Sequence, residues 1–238
     1  MIILGIESAT GEVGCAIGGV EGVMASFRAS RGRRHAETLA PAIDFVRRQA
    51  GIEFNQISVV AVDVGPGLFT GLRVGMATAK AIAQALRVPM IGLSSLDLLS
   101  FPVRHSSRLI VPVIDARRGE VFAAFYRHVP GGVQRLGDYQ VLTPHDLMAE
   151  LQARREDSLL VGDGATRYAE VFADDDGIEI SPPACPSASA LVELAHPRAI
   201  REEFVQPADL KALYLRRSDA EIAWEHKAGH DEPADRTA

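Results

Sequence analysis

GIESATGEVGCAI (Gly5 to Ile17) and VIDARRGEVFAAF (Val113 to Phe125) are the two stretches whose comparison decides the fold. Each runs from branched aliphatics to one acid, through a tight turn, and back into apolar residues, which reads as strand, acid, turn, strand. Glu7 and Asp115 lie 108 positions apart (115 − 7), and Gly11-Glu12-Val13 matches Gly119-Glu120-Val121 at the same offset. Around the first copy, strands are expected at Ile2 to Glu7, Val13 to Ile17 and Gly22 to Arg28. A helix follows from Ala36 to Gln49, where Leu39, Ile43 and Val46 recur at helical spacing before Gly51. Then come a strand at Ser58 to Val64, a helix ending at Leu86, a strand at Met90 to Leu93 and a helical piece from Ser95 to Leu99. The second cycle repeats this order: strands Glu120 to Arg127 and Val133 to Val141, a helix at Pro144 to Arg154, a strand at Leu159 to Val161, and helices at Thr166 to Phe172 and Ser187 to Arg201.

Chance similarity of two hairpins is the competing reading, but the shared order of elements favours a tandem duplication of a βββαβα unit. Strands alternating with helices predict an α/β protein with parallel crossovers. The expected division is an N-terminal lobe of residues 1–104, with 202–217 packing back on it, a C-terminal lobe of 105–201, and a solvated tail over 218–238.

The chain has 238 residues, 47% of them hydrophobic and 24% charged, with a formal net charge of −6. An acidic chain has no general attraction for phosphate backbones, so strong unaided binding of RNA or DNA is not expected. Cys15 and Cys185 are far apart and show no metal-ligand spacing or disulfide density. With no stretch near the roughly 20 apolar residues that cross a bilayer, a cytoplasmic protein is expected.

The other informative stretch is VVAVDVGPGLFTGLRVGMATAKAIAQAL, Val59 to Leu86. Its glycine turn lacks the Gly-Lys-Ser/Thr ending of a Walker A loop, since Leu72 and Arg73 follow Gly71. The spacing of Gly65, Gly67 and Gly71 is GxGxxxG, one residue too long for a dinucleotide fingerprint. What remains is the generic capacity of a strand-to-helix turn to face an anion. Gly71, Gly75, Ala79 and Ala83 fall every fourth residue and line one helical face. Side chains this small let another backbone come close, and two glycines inside a helix cost on the order of 1 kcal/mol each relative to alanine. A contact within the molecule and a contact with another chain both account for them.

These residues together resemble the TsaB (YeaZ) family: IESATGEVGCAI, HAETLAPAI, GPGLFTGLRVGMATAKAIA, VIDARRGEVFAAF and ALYLR, in this order and over nearly the whole chain. The resemblance implies the actin/Hsp70/sugar-kinase (ASKHA) type of fold, two lobes from a duplicated βββαβα unit. It further implies a non-catalytic subunit that pairs with the paralogue TsaD in making threonylcarbamoyladenosine next to the tRNA anticodon. A TsaE-type ATPase would join that complex, tRNA would be met only through it, and the isolated chain could form a homodimer. No intrinsic cofactor or metal is expected, and a nucleotide could sit at the interface of the assembled complex. The implied contact uses the first two helices, so the partner-facing residues would be His35, Thr38, Gly71, Arg73, Gly75, Ala79 and Ala83. The sequence departs from the family pattern at Glu7, where aspartate is usual, and at Leu68, where serine is common.

The alternative function is a stand-alone small-molecule kinase or ATPase of the same fold. Such enzymes hold phosphates with a loop in each lobe. Here the first loop keeps Glu7, Ser8 and Thr10, while the second follows Asp115 with Ala116, Arg117 and Arg118 where paired glycines would be expected. Glu7, Asp115 and Arg118 are therefore the weak candidates for contacts to a cofactor. The catalytic paralogue is described with a His-x-x-x-His metal pair after its short strand; the comparable segment here, Gly92 to Ser100, has no histidine. His226 and His230 have that spacing but lie in the polar tail, beside Gly229 and near Pro233.

Overall fold

The computed structural model describes residues 1–30 and 35–216. The tail from 218 onward, with His226 and His230, lies outside the described residues, as does the side chain of His35. The first half contains β1 (Ile2–Glu7), β2 (Val13–Gly19), β3 (Gly22–Ala29), α1 (His35–Gln49), β4 (Ile57–Asp63), α2 (Phe69–Leu86), β5 (Met90–Leu93) and α3 (Ser95–Ser100). The second contains β6 (Leu109–Arg117), β7 (Glu120–Val129), β8 (Gly132–Leu142), α4 (Pro144–Arg154), β9 (Ser158–Val161), α5 (Asp163–Arg167), α6 (Ala169–Phe172), β10 (Ile178–Ile180) and α7 (Ala188–Ile200).

Each half forms one five-stranded mixed sheet, ordered β3-β2-β1-β4-β5 and, read in the equivalent direction, β8-β7-β6-β9-β10. In both, the first three strands are an antiparallel meander and the last two join in parallel. The duplication therefore extends to strand order. β1 and β6 are central and covered on both faces, so they are nearly continuous in apolar residues, whereas the edge strand β3 alternates inward and outward side chains. β10 was not expected from the sequence, and the helix expected at Thr166 to Phe172 is two short helices, α5 and α6.

Both faces of each sheet are packed. In the first half, α1 and α2 cover one face around Leu4, Ile6, Leu39, Val46, Val60 and Met76. The opposite face, with Ile3, Ala61 and Ile91, packs against Leu191, Val192 and Ala195 of α7, a helix that belongs by sequence to the second half. Reciprocally, α3 lays Leu96 and Leu99 against Ile110, Phe122 and Tyr126 of the second sheet. The two halves thus exchange their last helices.

The chain after α7 ties both halves together. Val205 exchanges two backbone hydrogen bonds with Met90 on the free edge of β5, at 2.8 and 3.0 Å. Leu210 then enters the core under α2 and Leu215 the core of the second sheet. Arg216 pairs with Glu120 at 2.9 Å.

Candidate functional site

The glycine turn and the first strand-to-strand turn are packed into one another. Gly67 passes so close to Ala9 that any Cβ there would overlap the Ala9 carbonyl, and the Leu68 N–H donates to that carbonyl at 2.6 Å. One turn of α2 further on, a Cβ at Gly75 would overlap the Ser8 hydroxyl, which donates to the Gly71 carbonyl at 2.8 Å. Ser8, Ala9 and Thr10 are accordingly 3%, 0% and 4% exposed. The missing side chains let the Glu7–Thr10 loop tuck under the start of α2, and this burial offsets the cost of glycine in a helix.

That geometry corrects the expectation for the small-residue stripe. Gly71, Gly75, Ala79 and Ala83 all point inward onto β1, β4 and the Ser8 turn, and are buried within their own molecule. They offer nothing to a partner, because the periodicity that marks a close-packed face does not say which backbone approaches it. The outward ridge of α2 consists of Thr70, Arg73, Ala77, Ala81, Gln84 and Ala85. It too is poor in bulk, and of the residues expected at an interface only Arg73 belongs to it. Arg73 lies over the Phe69 ring at 3.7 Å, and Phe69 in turn packs on Tyr214 with ring centroids 5.4 Å apart. Thr38 is half-buried on α1.

Glu7 and Asp63 end the paired parallel strands β1 and β4 side by side. Burial pushes the Glu7 carboxyl well above its ordinary range, and the neighbouring Asp63 adds to the rise; the Ala9 N–H, donated at 2.7 Å, only partly opposes it. Asp63 is likewise pushed up by burial, to about 7, against the opposing effect of donors from Gly65 N–H and the Ser95 hydroxyl, both at 2.7 Å. Sequence reading missed Asp63, although it stands, like Glu7, as the single acid closing an apolar strand.

Asp115 occupies the matching place in the second half, and it is already engaged. Arg117 pairs with it at 3.1 Å and Arg167 at 3.6 Å, while the Arg117 N–H donates to it at 2.9 Å. Asp163, just past β9, accepts the Asp115 N–H at 3.1 Å and is itself raised by burial. Arg118 and Gly119 both have positive φ, 56° and 78°, as the two central residues of a tight hairpin turn. Arg117 is thus taken by Asp115, and Glu120, at the far side of the turn, is taken by Arg216. A cavity of about 330 Å³ lies between the halves, lined by the Pro66–Thr70 turn, Asp115 to Arg117, Phe122 and the Leu213–Arg216 segment. Among the described residues, no group of three or more His, Cys, Asp or Glu is placed to hold a metal ion, and no helix is long and apolar enough to cross a membrane.

Residues 22–224 match the family of TsaD, tRNA N6-adenosine threonylcarbamoyltransferase. An uncharacterised protein of Mycobacterium leprae is 35% identical over 92% of this chain, which spans 56% of that relative. The tRNA threonylcarbamoyladenosine biosynthesis protein TsaB of Bacillus subtilis is 27% identical, with 94% of this chain and 98% of that protein covered. The solved structure of YeaZ from Pseudomonas aeruginosa superposes with a TM-score of 0.79 at 25% identity, covering 90% of this chain and 99% of that one. An activator of 2-hydroxyisocaproyl-CoA dehydratase from Clostridium difficile, solved with bound ADPNP, covers 90% of this chain and 99% of its own at a TM-score of 0.51 and 13% identity, a likeness of fold alone.

Proposed function

This chain belongs to the TsaD family of tRNA N6-adenosine threonylcarbamoyltransferases, in its TsaB (YeaZ) branch, and we propose that it serves threonylcarbamoyladenosine biosynthesis as a non-catalytic subunit docked on a TsaD-type paralogue. A TsaE-type ATPase and tRNA join through that pair. The observation that carries this reading is the burial of the Glu7–Thr10 loop beneath α2. A phosphotransfer enzyme of this fold needs that loop open to phosphates, and here glycines seal it against the helix. Two further features support the reading: burial pushes the Glu7 carboxyl well above its ordinary range, which disfavours its charged form, and Asp115 is paired with two arginines.

The docking face we assign is the outward ridge of α2, from Thr70 and Arg73 through Ala77 to Ala81, rather than the inward stripe. Alanines on an exposed helix let another helix approach closely at little entropic cost. Mixing the chain with a TsaD-type protein is expected to give a heterodimer that transfers threonylcarbamoyl to tRNA faster than the paralogue alone. Ala77→Arg and Ala81→Glu alter exposed positions, so each variant should keep its melting temperature within a degree or two while weakening the heterodimer by roughly tenfold or more. Absence of both association and stimulation with the unmodified chain would count against the subunit role. Retained affinity in both variants would move the interface elsewhere.

A further inference from the structure

A second cavity, of about 220 Å³, opens between α3, α7 and the β7–β8 hairpin, away from the glycine turn and from the outward ridge of α2. Its polar lining comes from Asp97 on α3, Tyr126 on β7, Arg135 and Tyr139 on β8, and Arg198 on α7. The Tyr126 hydroxyl donates to Asp97 Oδ1 at 2.7 Å, and the Tyr139 hydroxyl reaches Oδ1 at 3.3 Å and Oδ2 at 3.2 Å. Burial raises both phenols, with Asp97 adding to the effect, so both remain protonated donors. Arg135 is stacked on the Tyr139 ring at 3.8 Å from its centroid, and Arg198 has only a long contact, 3.9 Å, to Glu203.

The arrangement is incomplete in a specific way. Opposite charges line one small cavity, yet neither arginine comes within ion-pair reach of Asp97, about 4 Å. A carboxylate offers about four acceptor directions. The two phenols use the better part of Oδ1 but make only the long Tyr139 contact to Oδ2. A tie between the two halves of the molecule would need Asp97 and the tyrosines alone; it gives neither guanidinium group a carboxylate partner within the cavity.

We propose that this cavity binds a small zwitterion of the α-amino acid class. The ligand's ammonium would occupy the open side of Asp97 and its carboxylate would meet Arg135 and Arg198. The volume suits an amino acid with a small side chain, and Leu194 supplies an apolar wall. A simple carboxylate would meet the repulsion of Asp97, and a simple amine that of the arginines, so the dipolar ligand is selected over either half.

Calorimetric titration of the full chain with glycine, L-serine, propionate and ethylamine at fixed ionic strength tests this. Saturable binding of glycine or L-serine in the roughly millimolar range is expected, with propionate and ethylamine about tenfold weaker. Arg135 is exposed, so Arg135→Gln should leave the fold intact and weaken L-serine about tenfold. Asp97→Asn keeps an acceptor for both phenols; it should weaken L-serine and strengthen propionate, a reversal that a purely structural role for Asp97 would not produce. The proposal is overturned by absence of saturation with either amino acid, by propionate binding as well as L-serine, or by unchanged L-serine affinity in Arg135→Gln.

Discussion

Gly75→Leu is expected to leave little folded protein to assay. A Cβ at this position already overlaps the Ser8 hydroxyl, and Ile6 Cγ2 stands 3.7 Å away, so the rest of a leucine side chain has no free volume to enter. The helix cannot retreat, because Met76, Ala79 and Ala83 on the same face are locked into the core. Forcing a few extra methylenes into a packed core costs about 1–3 kcal/mol, and a whole isobutyl group against backbone-anchored neighbours should exceed that. Such a loss is a large fraction of a domain's total stability. Gly75→Ala gives the graded version. It gains up to ~1 kcal/mol in helix propensity but must displace Ser8 from its hydrogen bond to Gly71. Ser8→Gly in the same chain should recover part of the deficit, since the two sites touch and their effects should not add. Urea unfolding of the three variants measures this. A Gly75→Leu chain with native stability would mean that α2 does not lie on the Ser8 turn.

The second large effect is a dependence of stability on pH that runs opposite to ordinary acid unfolding. Asp63 is held up to about 7 in the folded chain, whereas an unfolded aspartate ionises near ~3.9. Between those values the native state binds more protons than the unfolded state, so stability falls as pH rises, and the loss is complete above about 7. Glu7, raised by burial and by Asp63, acts in the same direction. At about 1.4 kcal/mol per pKa unit the contribution of Asp63 is on the order of a few kcal/mol. Asp63→Asn keeps an oxygen for the Gly65 N–H and the Ser95 hydroxyl. The variant should therefore melt several degrees above the unmodified chain at pH 8 and near it at pH 4. Melting curves that stay parallel across that range would show that Asp63 ionises freely in the folded state.

Much of the architecture was legible because its signals are local and repeated. The acid-and-turn pattern at Glu7 and Asp115 gave the duplication, and strand order follows the repeat faithfully. β10 was not legible: Ile178-Glu179-Ile180 is a three-residue edge strand, too short for a periodic signal, which forms by pairing with β9. The exchange of α3 and α7 between the halves was equally hidden, since a helix's apolar stripe does not name the sheet it will cover. Asp97 went unnoticed because its tyrosine partners come from strands 29 and 42 residues further along.

By itself, the sequence determined the repeat, the parallel crossovers, the failure of both nucleotide-binding glycine patterns and the family. Only the tertiary structure decided what the glycines are for. Period 3.6 places Gly71, Gly75, Ala79 and Ala83 on one side of a helix, but whether that side meets a sister chain or its own first turn depends on which surface the rest of the molecule brings there. Here Ser8 and Ala9 arrive first. The same placement, made by contacts about sixty residues apart in sequence, removes the Glu7 loop from solvent and leaves the opposite ridge of α2 facing outward.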